Sequence, residues 1–524
     1  MTHNVSGREH RRLFIPFIAL FIILSLLMTA CGEDNAQSSG AKLGGDLGVG
    51  LNADVVTLDP LKSTALVDRQ VMLNMYDTLV QVNAQNEIVP DLATSWSYTS
   101  PTQLVFTLRT DVKFQDGTPL NADAVVFNIE RILSTQSSPR YSELSSVEKV
   151  EAQDTSHVLF HLKQPFSPLL ATLSDRAGMI LSPAAVKSLG DNLGNAPAKA
   201  GSGAFAFGEW IKGDHLTIKK NTGYWLKDSQ GQALPYLNSI RYRPITNGSL
   251  RYSNLQTGTI NATDTLDPND VPSAKSNPDL VYKQAAALSF FGFMLNTKMA
   301  PFNNPAARRA VEWGVNRQEI LDSVLKGNGV LASGPIPPTS WAYDKNFKPY
   351  TYDVNKAKAE LAQIGGSLTF TMLVPSGSPL NTQEAQFIQS ELQAAGITMN
   401  IKQETFATVL SDTDAHNFQA ALIGWSGRPD PDGNLYSYFH TGGGNNNMQY
   451  SSPQVDTLLE KARTSNDQKE RATAYQQAQQ QILQDASYVF INHGVSIQAT
   501  TASVKDFAIL PTGIMMFTSV YLSQ

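Results

Sequence analysis

Residues 104–133 read LVFTLRTDVKFQDGTPLNADAVVFNIERIL, and they predict a strand, a turn and a helix in succession. Leu104, Phe106 and Leu108 recur at every second position, which is the spacing of a strand with one buried face. Residues 116–119, Asp-Gly-Thr-Pro, are typical of a tight turn, because glycine has a permissive backbone and proline fixes its own φ. The turn ends the strand and leads directly into the helix.

The rest of the chain repeats this alternation of strand and helix signals. Asn121 is suited to cap the helix of the opening stretch, and Asn316 precedes Glu319 by three residues in a second capped helix. Residues 368–372 alternate as a strand does, and residues 475–483 place apolar side chains on one helix face. A chain of 524 residues is long enough for about two to four domains. We therefore predict an α/β fold whose lobes are built on central sheets.

The composition excludes several classes of protein. Hydrophobic residues make up 42% of the chain and charged residues 16%, which excludes a disordered chain and a multi-spanning membrane protein. The net charge is -6, whereas a nucleic-acid binder needs a positively charged surface, so no nucleic-acid partner is expected. Cys31 is the one cysteine of the sequence, which excludes intrachain disulfides, cysteine-based zinc sites and iron–sulfur clusters.

The N-terminus has the features of a lipoprotein signal. Three arginines precede an apolar run over residues 13–28, which is shorter than the roughly 20 residues of a membrane span. The context Met-Thr-Ala-Cys-Gly around Cys31 resembles a bacterial lipobox, in which the cysteine becomes the lipidated first residue of the mature protein. We expect a signal peptide over residues 1–30, a flexible tether over residues 31–45, and a folded part outside the cytoplasmic membrane, in the periplasmic space or on the outer cell face. The alternative is an uncleaved anchor helix with a buried cysteine.

A series of short motifs runs through the chain from about residue 58 onward. They are residues 57–60 (TLDP), 74–80 (NMYDTLV), 90–96 (PDLATSW), 106–109 (FTLR), 112–125 (VKFQDGTPLNADAV), 201–205 (GSGAF), 209–210 (EW), 221–225 (NTGYW), 295–297 (LNT), 301–302 (PF), 334–338 (GPIPP) and 424–427 (GWSG). Each is weak evidence alone, but their order over nearly the whole mature chain is specific. With these motifs the sequence resembles the extracytoplasmic solute-binding proteins of ABC importers, in the peptide, opine and nickel-binding group known as family 5.

The resemblance implies a two-lobed α/β fold of the periplasmic-binding-protein type, with a hinge and an extra subdomain in the first lobe. The first lobe would comprise residues 46–285 and 498–524, and the second lobe residues 286–497. A cleft between lobes is where a small molecule is expected to bind, because closure buries most of the ligand. The implied partners are a small solute or short peptide and a membrane permease with cytoplasmic ATPases. The chain is expected to act as a monomer, without a cofactor.

The loop at residues 424–434, Gly-Trp-Ser-Gly-Arg-Pro-Asp-Pro-Asp-Gly-Asn, is the predicted ligand-binding segment. The resemblance implies an aspartate after the Gly-Trp-x-Gly motif of peptide binders, where it pairs with the peptide's amino terminus, but this chain has Arg428. An arginine repels an amine and can bind a carboxylate or phosphate with two parallel hydrogen bonds. We predict a small, polar, anionic ligand, similar to glutathione or an opine. The alternatives are internal pairing of Arg428 with Asp430 or Asp432, and a ligand that is a di- or oligopeptide or a metal chelate.

Weaker predictions concern the surroundings of this loop. Trp425 either stacks on the ligand or walls the cleft, and Asp430 lies in the same loop. Ser378 stands in the loop where dipeptide binders are expected to carry an arginine and a tyrosine for the peptide's carboxylate. The remaining candidates are Phe290 and Phe291, near the predicted crossing between lobes, and Asp59, after the first strand.

The sequence favours binding over catalysis. It contains none of the motifs H-E-x-x-H, G-x-S-x-G or G-x-x-x-x-G-K-[ST]. His157 and His161 are predicted on a strand, where residues four apart are separated by about 13 Å and cannot share a metal. Residues 430–434 resemble a calcium loop only faintly, because the glycine comes too early and the closing glutamate is missing. No metal site is predicted, and a lipid-anchored hydrolase is the least favoured alternative.

Overall fold

The structure, a computed structural model, describes residues 44–348 and 350–523. Its strands form three larger sheets and two short hairpins. The seven-stranded sheet has the order Leu280–Ala286, Val495–Thr501, Ala262–Thr263, Asp46–Leu51, Ser239–Pro244, His215–Lys220 and Phe205–Ile211. The six-stranded sheet has the order Val330–Leu331, Tyr488–His493, Phe291–Leu295, Ala420–Leu422, Leu368–Pro375 and Ile397–Glu404. The four-stranded sheet has the order Ala93–Ser100, Gln103–Leu108, His157–Leu162 and Val147–Ala152, and the hairpins are Val80–Val82 with Ile88–Pro90 and Val504–Lys505 with Tyr521–Leu522.

The helices lie between these strands along the chain. The α-helices are Leu66–Met75, Ala122–Leu133, Pro139–Glu143, Leu169–Thr172, Pro183–Leu189, Gly248–Gln256, Val271–Ser276, Pro305–Gly314, Arg317–Glu319, Val354–Ala362, Pro379–Ala394, Phe406–Asp414, Asp432–Phe439, Pro453–Thr464 and Gln468–Asp485. Arg317–Glu319 continues as a π-helical turn over Ile320–Val324, and two short 3-10 helices span Arg176–Gly178 and Gly190–Gly194.

Residues 104–133 form the predicted strand and helix, but the strand ends at Leu108, before the turn at residues 116–119. Residues at every second position of the strand Gln103–Leu108 are buried, so one face of the four-stranded sheet is apolar. The helix Ala122–Leu133 begins at Asn121, whose side chain accepts a hydrogen bond from the backbone N–H of Ala124. Val125 and other apolar residues of the helix pack in one core with that sheet face. The strand and the helix of this one segment therefore contribute to the core on one face of the four-stranded sheet.

The seven-stranded sheet and the six-stranded sheet each mix parallel and antiparallel pairing. In the seven-stranded sheet, Asp46–Leu51 is parallel to Ser239–Pro244 and to Ala262–Thr263, and the other neighbours are antiparallel. In the six-stranded sheet, Leu368–Pro375 is parallel to both of its neighbours, which places the helix Pro379–Ala394 in a crossover to the parallel strand Ile397–Glu404. Parallel neighbours need such helical crossovers, which accounts for the alternation of strand and helix in the sequence.

The chain passes between the two larger sheets at two nearby places. Strand Leu280–Ala286 belongs to the seven-stranded sheet and strand Phe291–Leu295 to the six-stranded sheet, while Tyr488–His493 and Val495–Thr501 make the return. The predicted lobe boundary between residues 285 and 286 falls at the first crossing, whereas the predicted boundary between residues 497 and 498 falls within the strand Val495–Thr501, just after the second crossing. The lobe boundaries stay a prediction. The predicted signal peptide, Cys31 and all but the last two residues of the predicted tether lie outside the described residues. None of the helices in the described part is long and apolar enough to cross a membrane.

Candidate functional site

The Gly-Trp-Ser-Gly-Arg loop connects strand Ala420–Leu422 to helix Asp432–Phe439. Trp425 and Phe290 exchange two backbone hydrogen bonds of 2.8 and 3.1 Å, so the loop is paired with the segment that crosses between the sheets. The side chain of Asn434 accepts from the indole Nε1 of Trp425 at 3.1 Å, which ties the loop to the first turn of the helix. The loop is thereby held from both of its sides.

The backbone around Arg428 is equally fixed. Gly427 has a φ of 82°, and a Cβ atom there would lie 2.2 Å from the carbonyl oxygen of Leu288, so only glycine fits. The backbone N–H of Arg428 donates to the side chain of Asn434 at 2.9 Å. Asn434 in turn donates to the carbonyl oxygens of Leu288 and Pro335. Arg428 therefore starts from a position that its neighbours determine.

Arg428 is 8% exposed, and its side chain reaches across to the part of the chain that packs with the four-stranded sheet. Its Nε lies 2.8 Å from Oδ2 of Asp175, and its Nη1 donates to the carbonyl oxygen of Gly427 at 2.8 Å. The guanidinium carbon lies 4.2 Å from the ring centre of Trp425, a cation–π contact that covers one indole face. Arg428 is thus buried, oriented and paired on one of its edges.

Asp175 carries a negative charge at this place. Burial alone would raise its pKa, but the positive charges of Arg428, Arg69 and Arg176 outweigh burial and hold the pKa of this carboxyl well below its usual range. Arg69 Nη1 lies 3.4 Å and Arg176 Nη1 3.8 Å from its oxygens. Arg69 also donates weakly, at 3.5 Å, to the hydroxyl of Ser426 in the loop. The carboxylate joins arginines from distant parts of the chain.

Two cavities flank Asp175. One measures about 440 Å³, including the space open to solvent, and its lining includes Arg428, Asp175 and Glu143. The other measures about 520 Å³ on the same basis, and its lining includes Arg69 and Asp175. Both cavities are partly open to solvent. The predicted loop and Asp175 therefore stand at the edge of space that a solute could enter.

Three of the predicted site residues have their polar atoms engaged elsewhere. Asp430 accepts from Arg471 at 2.7 Å. Asp59 pairs with Arg131 at 2.6 Å, and its other oxygen accepts from the backbone N–H of Leu61. Ser378 caps the helix Pro379–Ala394 through the N–H of Asn381. The predicted alternative partners of Arg428 are also occupied, since Asp430 binds Arg471 and Asp432 binds Arg463, so the internal partner is Asp175 instead.

The predicted aromatic residues divide into buried and exposed. Phe290 is fully buried, and its ring contacts Tyr438, Tyr488 and Phe490. Trp425 is 4% exposed and packs against Tyr438, with Arg428 over its ring. Phe291 is 43% exposed, so it is the one of the three that offers apolar surface to solvent or to a ligand.

Sequence reasoning missed the residues that meet Arg428. Asp175 lies about 250 positions earlier, and Arg69 and Arg140 lie earlier still. A signal was present, because Asp175-Arg176 is a charged pair within the otherwise uncharged residues 164–186. Charge in the middle of an apolar segment marks a paired or functional group. The sequence could not identify its partner.

The histidines from residue 44 onward do not gather into a metal site. His157 and His161 lie on the strand His157–Leu162, as predicted, and each contacts a carboxylate, of Asp154 and Glu151 respectively. Within residues 44–348 and 350–523, no group of three or more histidine, aspartate or glutamate side chains is arranged to hold a metal ion.

The sequence and the fold are similar to those of known proteins. The sequence profile described as "Bacterial extracellular solute-binding proteins, family 5 Middle" matches residues 87–446. The probable D,D-dipeptide-binding periplasmic protein DdpA of Escherichia coli K12 is 31% identical over 477 residues, which is 88% of this chain and 91% of the relative. The glutathione-binding protein GsiB of Pectobacterium atrosepticum is 27% identical over 502 residues, or 91% of this chain and 94% of the relative.

A solved structure agrees with the sequence relatives. The periplasmic binding protein DppA of Helicobacter pylori, in complex with the peptide STSA, superposes with a TM-score of 0.84 at 30% identity, over 92% of this chain and 99% of that one. The predicted two-lobed α/β fold of periplasmic binding proteins is confirmed. Relatives and structural neighbours are binding proteins, so the chain is not an enzyme and the hydrolase alternative is set aside. The chain belongs to family 5 of the bacterial extracellular solute-binding proteins.

Proposed function

We propose that this protein is the lipid-anchored binding component of an ABC importer and that it captures a small polar solute carrying a carboxylate. Arg428 is the observation that supports this ligand class. It stands in a loop fixed by Asn434 and Gly427, beside a cavity, and its Nη2 has no hydrogen-bond partner among the described residues. A carboxylate entering the cavity would complete the hydrogen bonding of the guanidinium.

The nature of the relatives fits a ligand with a carboxylate. One relative is named as a D,D-dipeptide-binding protein and another as a glutathione-binding protein. An ordinary peptide remains the second candidate, because a solved neighbour was crystallised with the peptide STSA. The surroundings of Arg428 disfavour binding of a peptide amine there, since the nearby guanidiniums of Arg69 and Arg176 add positive charge. The carboxylate end of the solute is therefore the end assigned to Arg428.

The test begins with the solute that the protein carries. The protein is isolated gently and released solutes are identified by mass spectrometry, and the identified solute is then titrated calorimetrically into unliganded protein. Arg428→Ala is expected to lower affinity at least tenfold, because it removes charge-assisted hydrogen bonds. The matched control is Arg309→Ala, whose half-buried side chain pairs with Glu360 and does not line either cavity. Equal affinities of wild type and Arg428→Ala would refute the assignment.

Closure of the two lobes is proposed to bury the solute. The support is the pair of crossings at residues 286–291 and 493–495, where the chain passes between the larger sheets. The proposed lobes are residues 46–285 with 498–524 and residues 286–497, so the first crossing coincides with a proposed boundary and the second lies a few residues before the other. Small-angle scattering with and without the identified solute tests the proposal, since closure by a ligand that contacts both lobes predicts a smaller radius of gyration.

Lipid attachment at Cys31 and delivery to a permease complete the proposal. The lipobox-like sequence supports attachment. A folded part held at the outer face of the cytoplasmic membrane would present the closed form to permease subunits powered by cytoplasmic ATPases. Intact-mass analysis of the mature N-terminus tests the anchor. A chain that starts at a diacylated Cys31 is expected, and Cys31→Ser is expected to release the protein from the membrane fraction. A mature chain that retains residues 1–30 would contradict it.

A further inference from the structure

The neighbourhood of Asp175 holds more positive charge than the proposed function requires. Arg69, Arg140 and Arg176 are each 1–2% exposed, and with Arg428 they form what we call the arginine cluster. Arg69, Arg176 and Arg428 contact the two oxygens of Asp175 at 2.8 to 3.8 Å. Arg140 instead pairs with Glu143 through Nη2 at 2.8 Å. The cluster brings arginines from the helices Leu66–Met75 and Pro139–Glu143 together with the Gly-Trp loop.

The arginine cluster is not balanced by the carboxylates in contact with it. Within the described residues, four guanidiniums face two contacting carboxylates, Asp175 and Glu143. A further carboxylate, Asp68, is linked to Arg176 through the hydroxyl of Ser63. Even with Asp68 counted as charged, a positive charge remains in excess. A buried charge without a partner is costly, so an excess of this kind is retained where a counter-charge can bind.

The hydrogen bonds of the arginine cluster also indicate a missing anion, independently of the count of charges. In the described part of the chain, buried nitrogens of all four arginines lack a hydrogen-bond acceptor: Arg69 Nε, Arg140 Nε and Nη1, Arg176 Nη1 and Arg428 Nη2. Native proteins satisfy nearly all such buried donors. Burial lowers the pKa of Arg69 to about 10, and the charges of Arg428 and Arg140 act in the same direction. Asp175 and Glu143 act in the opposite direction, and Arg69 stays protonated at neutral pH although its Nε has no acceptor in the described residues.

The position of the arginine cluster gives a ligand two ways to reach it. Asp175 lines both cavities, Arg428 lines the cavity of about 440 Å³, and Arg69 lines the cavity of about 520 Å³. Arg140 is close enough to Arg428 for that charge to depress its pKa, after the larger effect of burial and against the opposing effect of Glu143. One carboxylate bound at Arg428 would leave unpaired donors on Arg69 and Arg140.

We propose that the arginine cluster is a subsite for two negative groups, so that the transported solute is a dianionic small molecule such as an α,ω-dicarboxylate or a conjugate with two carboxylates. The inference rests on the proposed function, because it names the ligand class of that site. Arg428 binds the first anionic group, and Arg140 with Arg69 binds the second. Asp175 acts as an internal anion that holds the guanidiniums in place and competes with the ligand for their N–H groups.

The test uses glutarate, which carries two carboxylates, against butyrate, which is the same molecule with one carboxylate replaced by a hydrogen atom. Each is titrated into unliganded wild-type protein at constant ionic strength set by sodium chloride, and binding is followed by thermal shift and calorimetry. Glutarate is expected to bind at least tenfold more tightly than butyrate. Equal binding of the two acids, or binding of neither, would overturn the dianion inference.

Variants separate this inference from the proposed function. Arg140→Gln is expected to reduce the glutarate preference to less than threefold while butyrate binding is unchanged, and Arg428→Ala is expected to weaken both acids. Arg309→Gln serves as the control and should change neither. An Arg140→Gln protein that keeps the full glutarate preference overturns the dianion subsite, whereas the effect of Arg428→Ala on the co-purified solute tests the proposed function separately.

A second variant covers the case in which Arg140→Gln does not fold. Asp175→Asn keeps the size of the side chain and removes the competing internal anion, so glutarate affinity is expected to rise at least threefold, and glutarate is expected to raise the Tm of this variant more than that of wild type. A lower or unchanged glutarate affinity in folded Asp175→Asn protein would overturn the inference.

Discussion

Two arginine–aspartate ion pairs line the same cavity, and they differ in how completely their hydrogen-bonding groups are used. Arg463 meets Asp432 with three hydrogen bonds of 2.9 to 3.1 Å, and its Nη1 donates to Ser145. The Arg463 guanidinium also lies 3.2 Å from the ring centre of Tyr436. Arg428 meets Asp175 through Nε at 2.8 Å, and its Nη2 is without an acceptor in the described residues. The first contact is neutral and complete, and the second is incomplete and surrounded by further arginines.

The difference separates an ion pair that maintains the fold from one that is suited to bind a ligand. A buried pair whose donors and acceptors are all used has nothing to offer a solute, and removing one partner leaves a stranded charge. A cluster in which guanidinium N–H groups outnumber their acceptors already contains unpaired positive charge, so a bound anion stabilises it. Burial and the presence of an arginine do not distinguish the two cases, but the census of hydrogen bonds does.

The largest expected effect comes from breaking the complete pair. Asp432→Asn leaves the guanidinium of Arg463, which is 2% exposed, without a counter-charge, so the free energy of unfolding is expected to fall by about 3–5 kcal/mol. Urea unfolding followed by circular dichroism measures it. Asp111→Asn is the control, because its partner Arg109 is partly exposed and surface pairs contribute about 0–1 kcal/mol. Similar losses for the two variants would contradict the distinction.

His493 provides a third case, a buried base that carries no charge. It lies at the return crossing, 1% exposed, with Nδ1 3.0 Å from the carbonyl oxygen of Ser289. Burial lowers its pKa from 6.5 to about 4, against the opposing effect of that hydrogen bond. His493 therefore becomes protonated near pH 6.5 in the unfolded chain but only near pH 4 in the folded chain. The stability that His493 contributes is present above pH 6.5 and is lost as pH falls to 4, by roughly 3 kcal/mol in total.

A comparison of variants isolates this contribution from the carboxylates that titrate in the same range. His493→Gln cannot take up the proton, so the difference in unfolding free energy between wild type and variant is expected to shrink between pH 6.5 and pH 4 and to be constant above pH 7. Urea unfolding at half-unit pH intervals provides the measurement. A difference independent of pH would show that His493 is not held neutral.

The sequence predicts local structure well because the signals are local. The strand over residues 103–108, the Asn121 cap and the helix behind it are encoded within 30 residues. The Gly-Trp loop with Arg428 is equally visible in the sequence. What joins Arg428 to Asp175 and Arg69 is the packing of segments that are hundreds of residues apart, and a sequence without aligned relatives carries no signal of that pairing. Phe290 and Phe291 illustrate a further limit of sequence-based prediction. They are adjacent residues of the same type, but one is buried and the other is partly exposed.

Phe290 and Phe291 extend the comparison from charged to apolar side chains. Phe290 is fully buried, so Phe290→Ala is expected to cost about 3–5 kcal/mol. Phe291 is 43% exposed and its ring lies between Gly424 and Gly494, so its alanine variant is expected to lose about 2 kcal/mol. Chemical unfolding measures both, and calorimetry with the identified solute is expected to show weaker binding for Phe291→Ala. Equal losses of stability would mean that the exposed ring has no separate role.

The smallest expected effect on stability returns to the incomplete contact. Arg428→Met replaces the charged end with an apolar side chain of similar length, and Asp175 keeps Arg69 and Arg176 as partners. Because the change removes one positive charge from a cluster that has an excess, the unfolding free energy is expected to change by no more than about 1 kcal/mol, in either direction. The same substitution at Arg463 strands Asp432 and is expected to cost several times as much. Parallel urea titrations of the two methionine variants decide the matter, since a loss at Arg428 as large as that at Arg463 would show that the contact with Asp175 maintains the fold and is not a site held open to a solute.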